Sequence, residues 1–170
     1  MDPFNTLRKA FSSYGDIDPL LFQPISKYLE RISVPAGHIL WRQSDPSAGL
    51  YIIESGVLRA SYEFANVAQN FDESMVAGTV AGEMSALSDS PRNSTVVAEH
   101  PSVLWKLSNE NIQRLQIEEP ALARVFIQLV LKGMFLSNES VIFRDRLLTQ
   151  MSPAAKLDYD VLLSAIASRQ

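Results

Sequence analysis

The stretch VAGEMSALSDSPRNSTVVA, residues 80–98, decides how this chain is read. Glu83 precedes a lone Arg92 by nine positions, and Ser94, Thr95 and a β-branched run follow at once. Met84 and Leu87 have the spacing of one short helical turn, and a turn placed there directs its free backbone N–H groups toward an anion. Gly82 lets that backbone approach closely. A loop of Ser, Asp and Pro then returns to Arg92, whose planar fork pairs bidentately with phosphate oxygens. Glu83 has the opposite preference. A carboxylate is repelled by phosphate, so its expected partner is a donor such as a sugar hydroxyl, with Arg92 nearby holding it ionised. Phosphate and hydroxyl on one small ligand describe a nucleotide.

Outward from this stretch, short apolar runs are cut by Gly, Pro, Asp and Ser: RISV, HILW, LYIIES, VLRASYEF, SMVAG, STVVAE and VLWKL. Seven such runs predict a mainly β fold, an antiparallel sandwich or barrel. Gly37, Gly49 and Gly56 fall at the breaks, where turns need positive φ. Helical spacing flanks the runs on both sides. It covers residues 3–12 (Phe4, Leu7, Phe11) and 18–30 (Leu20, Leu21, Ile25, Tyr28, Leu29), with Gly15-Asp16 between. After Leu107, Ser108 is an expected N-cap with Asn111 in the first turn, and Pro120 opens a helix running to about Arg146. A last helix is expected over 153–168, behind a short linker at 149–152. The chain thus reads as a helical segment over 1–30, a β-roll over 31–107 containing the stretch 80–98, helices of the same domain over 108–146, and a helical tail over 147–170.

Charge and composition narrow the function. With 19 acidic against 15 basic residues and no basic cluster, the chain carries no surface suited to nucleic acid or anionic membrane. Cysteine is absent, so disulfides, thiolate metal sites and cysteine nucleophiles are excluded. The opening residues hold no signal-peptide core, and the most apolar window, 121–136, carries a polar stripe at Arg124, Gln128 and Lys132. That is an amphipathic helix and not a membrane span, and the expected location is the cytoplasm.

The stretch 80–98 resembles the phosphate-binding cassette of cyclic nucleotide-binding domains: Gly82-Glu83, a short turn, Pro91-Arg92, one residue, Ser94-Thr95, then an apolar strand. The glycine-punctuated segment PAGHILWRQSDPSAGLYIIESGVLRA is similar to the first half of the same roll, and the resemblance covers about 20–146. It implies an antiparallel β-roll with flanking helices and a non-enzymatic, regulatory role in sensing cAMP or cGMP. It further implies that Arg92 binds the cyclic phosphate and Glu83 the ribose 2′-hydroxyl. Gly82, Met84 and Ser85 would line the pocket, and Asn93, Ser94 and Thr95 would supply contacts near phosphate and base. An apolar residue after the roll, Phe135, Leu136 or Phe143, would act as a lid. Ala81 and Ala86 replace larger residues of the family pattern, which implies looser packing under the cassette. Three stretches, LYIIESGVLRASYEF, SMVAGTVAGEMSALSDSPRNSTVVAE and VLWKLSNENIQRLQIEEPALA, resemble more narrowly the cytosolic C-terminal domain of fungal sulfate-permease-like transporters, where such a module follows the STAS region. The implied partners are a cyclic nucleotide or other small anion and the other domains of a parent transporter.

Other readings of the same residues compete with this one. Glu83 and Arg92 alone would read as an internal salt bridge. His38 and His100 are too isolated for the clustered ligands of a cupin-type metal barrel. Neither lies in a nucleophile or triad context, so no catalytic reading and no cofactor follow. After Arg146 the basic residues of the tail are Lys156 and Arg169, which excludes a DNA-gripping helix-turn-helix. The remaining alternative is a ligand-free module that docks on another domain through the roll and its helices.

Overall fold

The computed structural model describes residues 3–13, 17–63 and 71–137. The chain divides into two compact units, Met1–Gly133 and Met134–Gln170, and the β-roll lies within the first. The expected helix over 153–168, the linker at 149–152, the break at Gly15-Asp16 and the lid candidate Phe143 lie outside the described residues, as do the side chains of Phe135 and Leu136.

Among the described residues, eight antiparallel strands form two four-stranded sheets. One runs β1 (Leu29–Val34), β8 (Ser102–Ser108), β3 (Gly49–Ser55), β6 (Val80–Ala81), and the other β2 (Ile39–Trp41), β7 (Thr95–Ala98), β4 (Val57–Tyr62), β5 (Phe71–Val76). Alternation along the strands builds the core. Leu58, Ala60 and Tyr62 of β4 and Val96 and Ala98 of β7 are buried, and β3 is buried along Leu50–Ile53 because the sheet is covered on both sides. This is the antiparallel β-roll with flanking helices that the resemblance implies, built from the antiparallel runs that the spacing predicts.

Two details differ from expectation. The helical spacing over 18–30 is realised only as one turn, α2 (Pro19–Phe22), followed by a 3₁₀ turn at Gln23–Lys27, and Leu29 already belongs to β1. Pro24 has no N–H to continue the ladder of α2, so the chain tightens and leaves the helix. The strand Val80–Ala81 is an addition to the expected runs, since two residues are too few to show a period.

The helices cover one end of the roll. Phe11 of α1 (Pro3–Phe11) meets Phe126 of α5 (Pro120–Ser137) edge to face at 5.9 Å, over a buried set that includes Leu7, Phe22, Ile25 and Leu122. Between them α4 (Asn109–Glu118) starts on Ser108, whose hydroxyl accepts from the Asn111 N–H at 3.1 Å, and Asn111 Nδ2 donates to the Tyr28 carbonyl at 2.9 Å. Among the described residues no helix is long and apolar enough to cross a membrane.

Candidate functional site

The cassette folds from both ends, as its spacing suggests. β6 ends at Ala81, and Gly82 turns the chain into α3 (Glu83–Ser88) with φ 76°, in the left-handed region. A side chain at position 82 would collide with Arg92 Nη1, so glycine is required both by the turn and by the guanidinium lying against it. Asp89, also left-handed at φ 50°, ends α3 with its N–H on the Ser85 carbonyl. The chain then returns through Pro91 to Arg92, whose backbone is held from both sides by the β2–β3 loop. Its N–H donates to the Asp45 carbonyl and its carbonyl accepts from Ser44 N–H, each at 2.8 Å.

Arg92 is the centre of the site. Only 3% of it is exposed. Nη1 donates to the Gly82 carbonyl (2.9 Å) and the Ser85 hydroxyl (2.8 Å), and Nη2 donates to the Gly49 carbonyl of β3 (2.6 Å). The guanidinium carbon lies 4.1 Å from the centroid of the Trp41 ring, which in turn packs on Tyr51 at 5.3 Å. Every one of these partners is neutral, and among the described residues Arg92 makes no ion pair. Its Nε–H is buried with no acceptor. Burial pushes the arginine below its usual range, opposed by the charges of Tyr51, Glu83 and Asp45. A buried cation is normally paired with an anion; here the charge is held by dipoles and a π face, and one donor is left over.

Glu83 starts α3 half-buried. The expectation that Arg92 holds it ionised is corrected by the structure. Burial is the main influence and pushes the carboxyl up to about 7; its own backbone N–H opposes this, the charge of Glu73 adds to it, and Arg92 contributes only a smaller lowering. The internal salt bridge considered for this pair is not formed.

The other expected residues separate. Ser85 is buried on Arg92, with its hydroxyl also donating to the Gly82 carbonyl at 3.2 Å. Ser94 is buried and donates to Asn93 Oδ1 at 3.4 Å, while Asn93 Nδ2 reaches the Met84 sulfur at 3.7 Å, so Met84 and Asn93 join the two ends of the cassette. Thr95 departs from expectation. It alternates to the face opposite Ser94 and Val96, where its hydroxyl accepts from Gln43 N–H at 3.0 Å, which turns it away from the interior. The looser packing expected at Ala81 is not found: Ala81 is buried opposite Tyr51 in register, and the Tyr51–Trp41 pair fills that side.

Sequence reasoning missed Trp41, Tyr51, Gly49, Tyr62 and Glu73, which reach the site through strand pairing. One signal was available. In FDESMV the period of two puts Glu73 on the same face as Met75, a carboxylate on an apolar face. Glu73 pairs in register with buried Ala60 and accepts a 3.2 Å hydrogen bond from the Tyr62 hydroxyl.

The site is thus a buried arginine, short of an anion, held in a helix-turn cassette on a roll of two antiparallel sheets. Comparison with known proteins gives the family. The model for the cyclic nucleotide-binding domain matches residues 31–118, more than half of the 170. The chain belongs to this family. It is 32% identical over 96 residues to the acetyltransferase Pat of Mycolicibacterium smegmatis, covering 56% of this chain and 28% of that protein. It is 30% identical over 122 residues to a cAMP-dependent protein kinase regulatory subunit of Aspergillus niger, covering 68% and 29%. The chain therefore spans less than a third of the length of these two relatives. A cyclic nucleotide-binding domain from Methylobacillus flagellatus has the same fold, with a TM-score of 0.69 at 23% identity, covering 88% of this chain and 85% of that one.

Proposed function

We propose that this domain is a non-enzymatic sensor of a cyclic nucleotide, cAMP or cGMP, or of a similar small singly charged anion. The observation that carries the reading is Arg92, a buried guanidinium with neutral partners and an unpartnered Nε–H. The ribose hydroxyl would go to Glu83, and Gly82, Met84, Ser85, Asn93 and Ser94 would line the pocket. Similarity to a cAMP-dependent kinase regulatory subunit supports cAMP as the first ligand to test. In mechanism, the anion draws Arg92 toward itself, weakening its bonds to Gly82, Ser85 and Gly49. The cassette then settles in a second position and shifts the helix after the roll, a change of population between two states. The division into helical segment, roll, following helices and tail belongs to this proposal.

The narrower reading, a soluble cytoplasmic piece of a fungal sulfate-permease-like transporter, is supported by the three resembling stretches alone; the relatives named above are an acetyltransferase and a kinase subunit. A ligand-free docking module has its own support in Leu20 and Ile117, which are 82% and 80% exposed on the helical end. Calorimetric titration with cAMP and cGMP separates sensing from docking. Sensing predicts saturable heat that Arg92→Ala abolishes; equal heats from both proteins would sink the phosphate role.

A further inference from the structure

The pocket holds more acid than the sensing role asks for. Glu73 alternates inward on β5: Asp72, Ser74 and Val76 are exposed, whereas Glu73 is half-buried and Met75 buried. Its register partner Ala60 is small, which leaves the carboxyl room on the inner face, and the Tyr62 hydroxyl donates to Oε2 at 3.2 Å. Both carboxyls are displaced upward, Glu73 by burial and Glu83 by burial with the charge of Glu73 added. Tyr62 is raised too, by burial first and then by the charges of Glu73 and Glu83. The groups bearing on Glu73 are therefore Tyr62 from β4 and Glu83 from α3, with Arg92 beyond Glu83 and Tyr51 and Asp45 acting on Arg92. Arg59 and Glu99 are on the other face, where Arg59 lies 3.7 Å from Asp72 and 3.9 Å from Glu99.

One cation thus serves two carboxyls. With both ionised, Arg92, Glu73 and Glu83 sum to one negative charge, and a cyclic phosphodiester adds a second in a space where screening is weak. We propose that Glu73 is a second ligand-facing carboxyl of this site and that the pocket takes up its singly charged anion together with a proton from solvent. Glu83, accepting from a ligand hydroxyl, is drawn to its ionised form in the complex; Glu73, anchored by Tyr62, carries the proton and presents an O–H donor to the ligand. This inference rests on the sensing reading and gives it a specific pH dependence.

The test is calorimetry with cAMP and with cGMP in pairs of buffers that differ in ionisation heat. For the wild-type domain the expected result above about pH 7.5, where Glu83 is already largely ionised when free, is uptake of ~0.5–1 proton on binding, with Kd weakening by up to about tenfold per unit between about pH 7.5 and 8.5. Glu73→Gln is expected to bind more tightly than wild type at about pH 8, with a Kd that changes by less than about twofold from about pH 7.5 to 8.5, above the range where Glu83 itself titrates. A wild-type Kd that is flat with pH and binding without proton uptake would overturn the proposal, as would a full wild-type slope in Glu73→Gln. Should that variant fail to fold, the wild-type proton count decides alone. Heat without a pH slope removes this inference only; no heat with either nucleotide at any pH removes the sensing reading with it.

Discussion

Two arginines of this domain sit over tryptophans, and they are held in opposite ways. On β1, Arg31 lies 5.9 Å from the Trp105 centroid and makes a two-pronged pair with Glu54, Nε to Oε2 at 2.9 Å and Nη2 to Oε1 at 2.7 Å. That hydrogen bonding pushes Arg31 up and Glu54 down. Arg92 lies closer to its tryptophan, at 4.1 Å, and is more buried, yet it has carbonyls and a hydroxyl where Arg31 has a carboxylate. An arginine that serves the fold is completed by the fold. Arg92 is stabilised enough to stay in place and is left short of an anion, which is the condition a ligand site requires.

The largest effect should come from removing that difference. Arg92→Ala is expected to weaken cAMP binding by about 100-fold or more, because the lost fork is charged and desolvated. It is also expected to cost about 1–3 kcal/mol of stability by removing the buried hydrogen bonds to the Gly82 and Gly49 carbonyls and the Ser85 hydroxyl. Titration and denaturant unfolding read the two effects separately. Next is the platform. Trp41→Leu removes the cation–π contact, worth about 1–2 kcal/mol for a desolvated pair, and should weaken cAMP by about tenfold; Trp41→Phe should lose much less. Gly82→Ala forces a side chain into the left-handed region and against Arg92 Nη1, costing about 1–3 kcal/mol and several degrees of Tm by calorimetric scanning.

The two arginines also differ in what pH does to their carboxylates. Glu54 lies below its ordinary range in the folded state, so its contribution is present above that range and is lost as pH falls through its lowered value. Glu83 is raised to about 7, so the folded state binds the proton more tightly than the unfolded chain. Its contribution is complete below the ordinary carboxylate range and disappears as pH rises to about 7. Glu83→Gln should therefore raise Tm by a few degrees at about pH 8 and leave it nearly unchanged at about pH 4. The smallest effect is expected at Arg31→Ala, which should leave cAMP affinity within about twofold of wild type, since Arg31 is half exposed and, among the described residues, its pair with Glu54 shares no contact with the cassette.

Much of the site was legible because the cassette is local. Gly82, Glu83, Ser85 and Arg92 come together through one turn and one return loop, and spacing alone brings them near. What strand pairing contributes was not legible. Trp41 and Tyr51 reach Arg92 from strands forty residues away or more, and Gly49 offers a carbonyl, which no side-chain pattern advertises. The upward displacement of the Glu83 carboxyl is hidden for the same reason: its desolvation depends on how completely the roll closes over it, and sequence shows the neighbour Arg92 without showing the burial. For the fold, the alternation of the β runs carried through, whereas over 18–30 the helical spacing was overruled by a single proline at Pro24.

The central claim is that the leftover donor of Arg92 waits for an anion. It is tested most directly by the NMR signal of the Arg92 Nε–H, assigned by its loss in Arg92→Lys and followed during titration with cAMP. The account predicts that this signal moves in step with saturation and that its exchange with water slows as an acceptor arrives. Saturable cAMP binding that leaves the Arg92 Nε–H signal unmoved would contradict it.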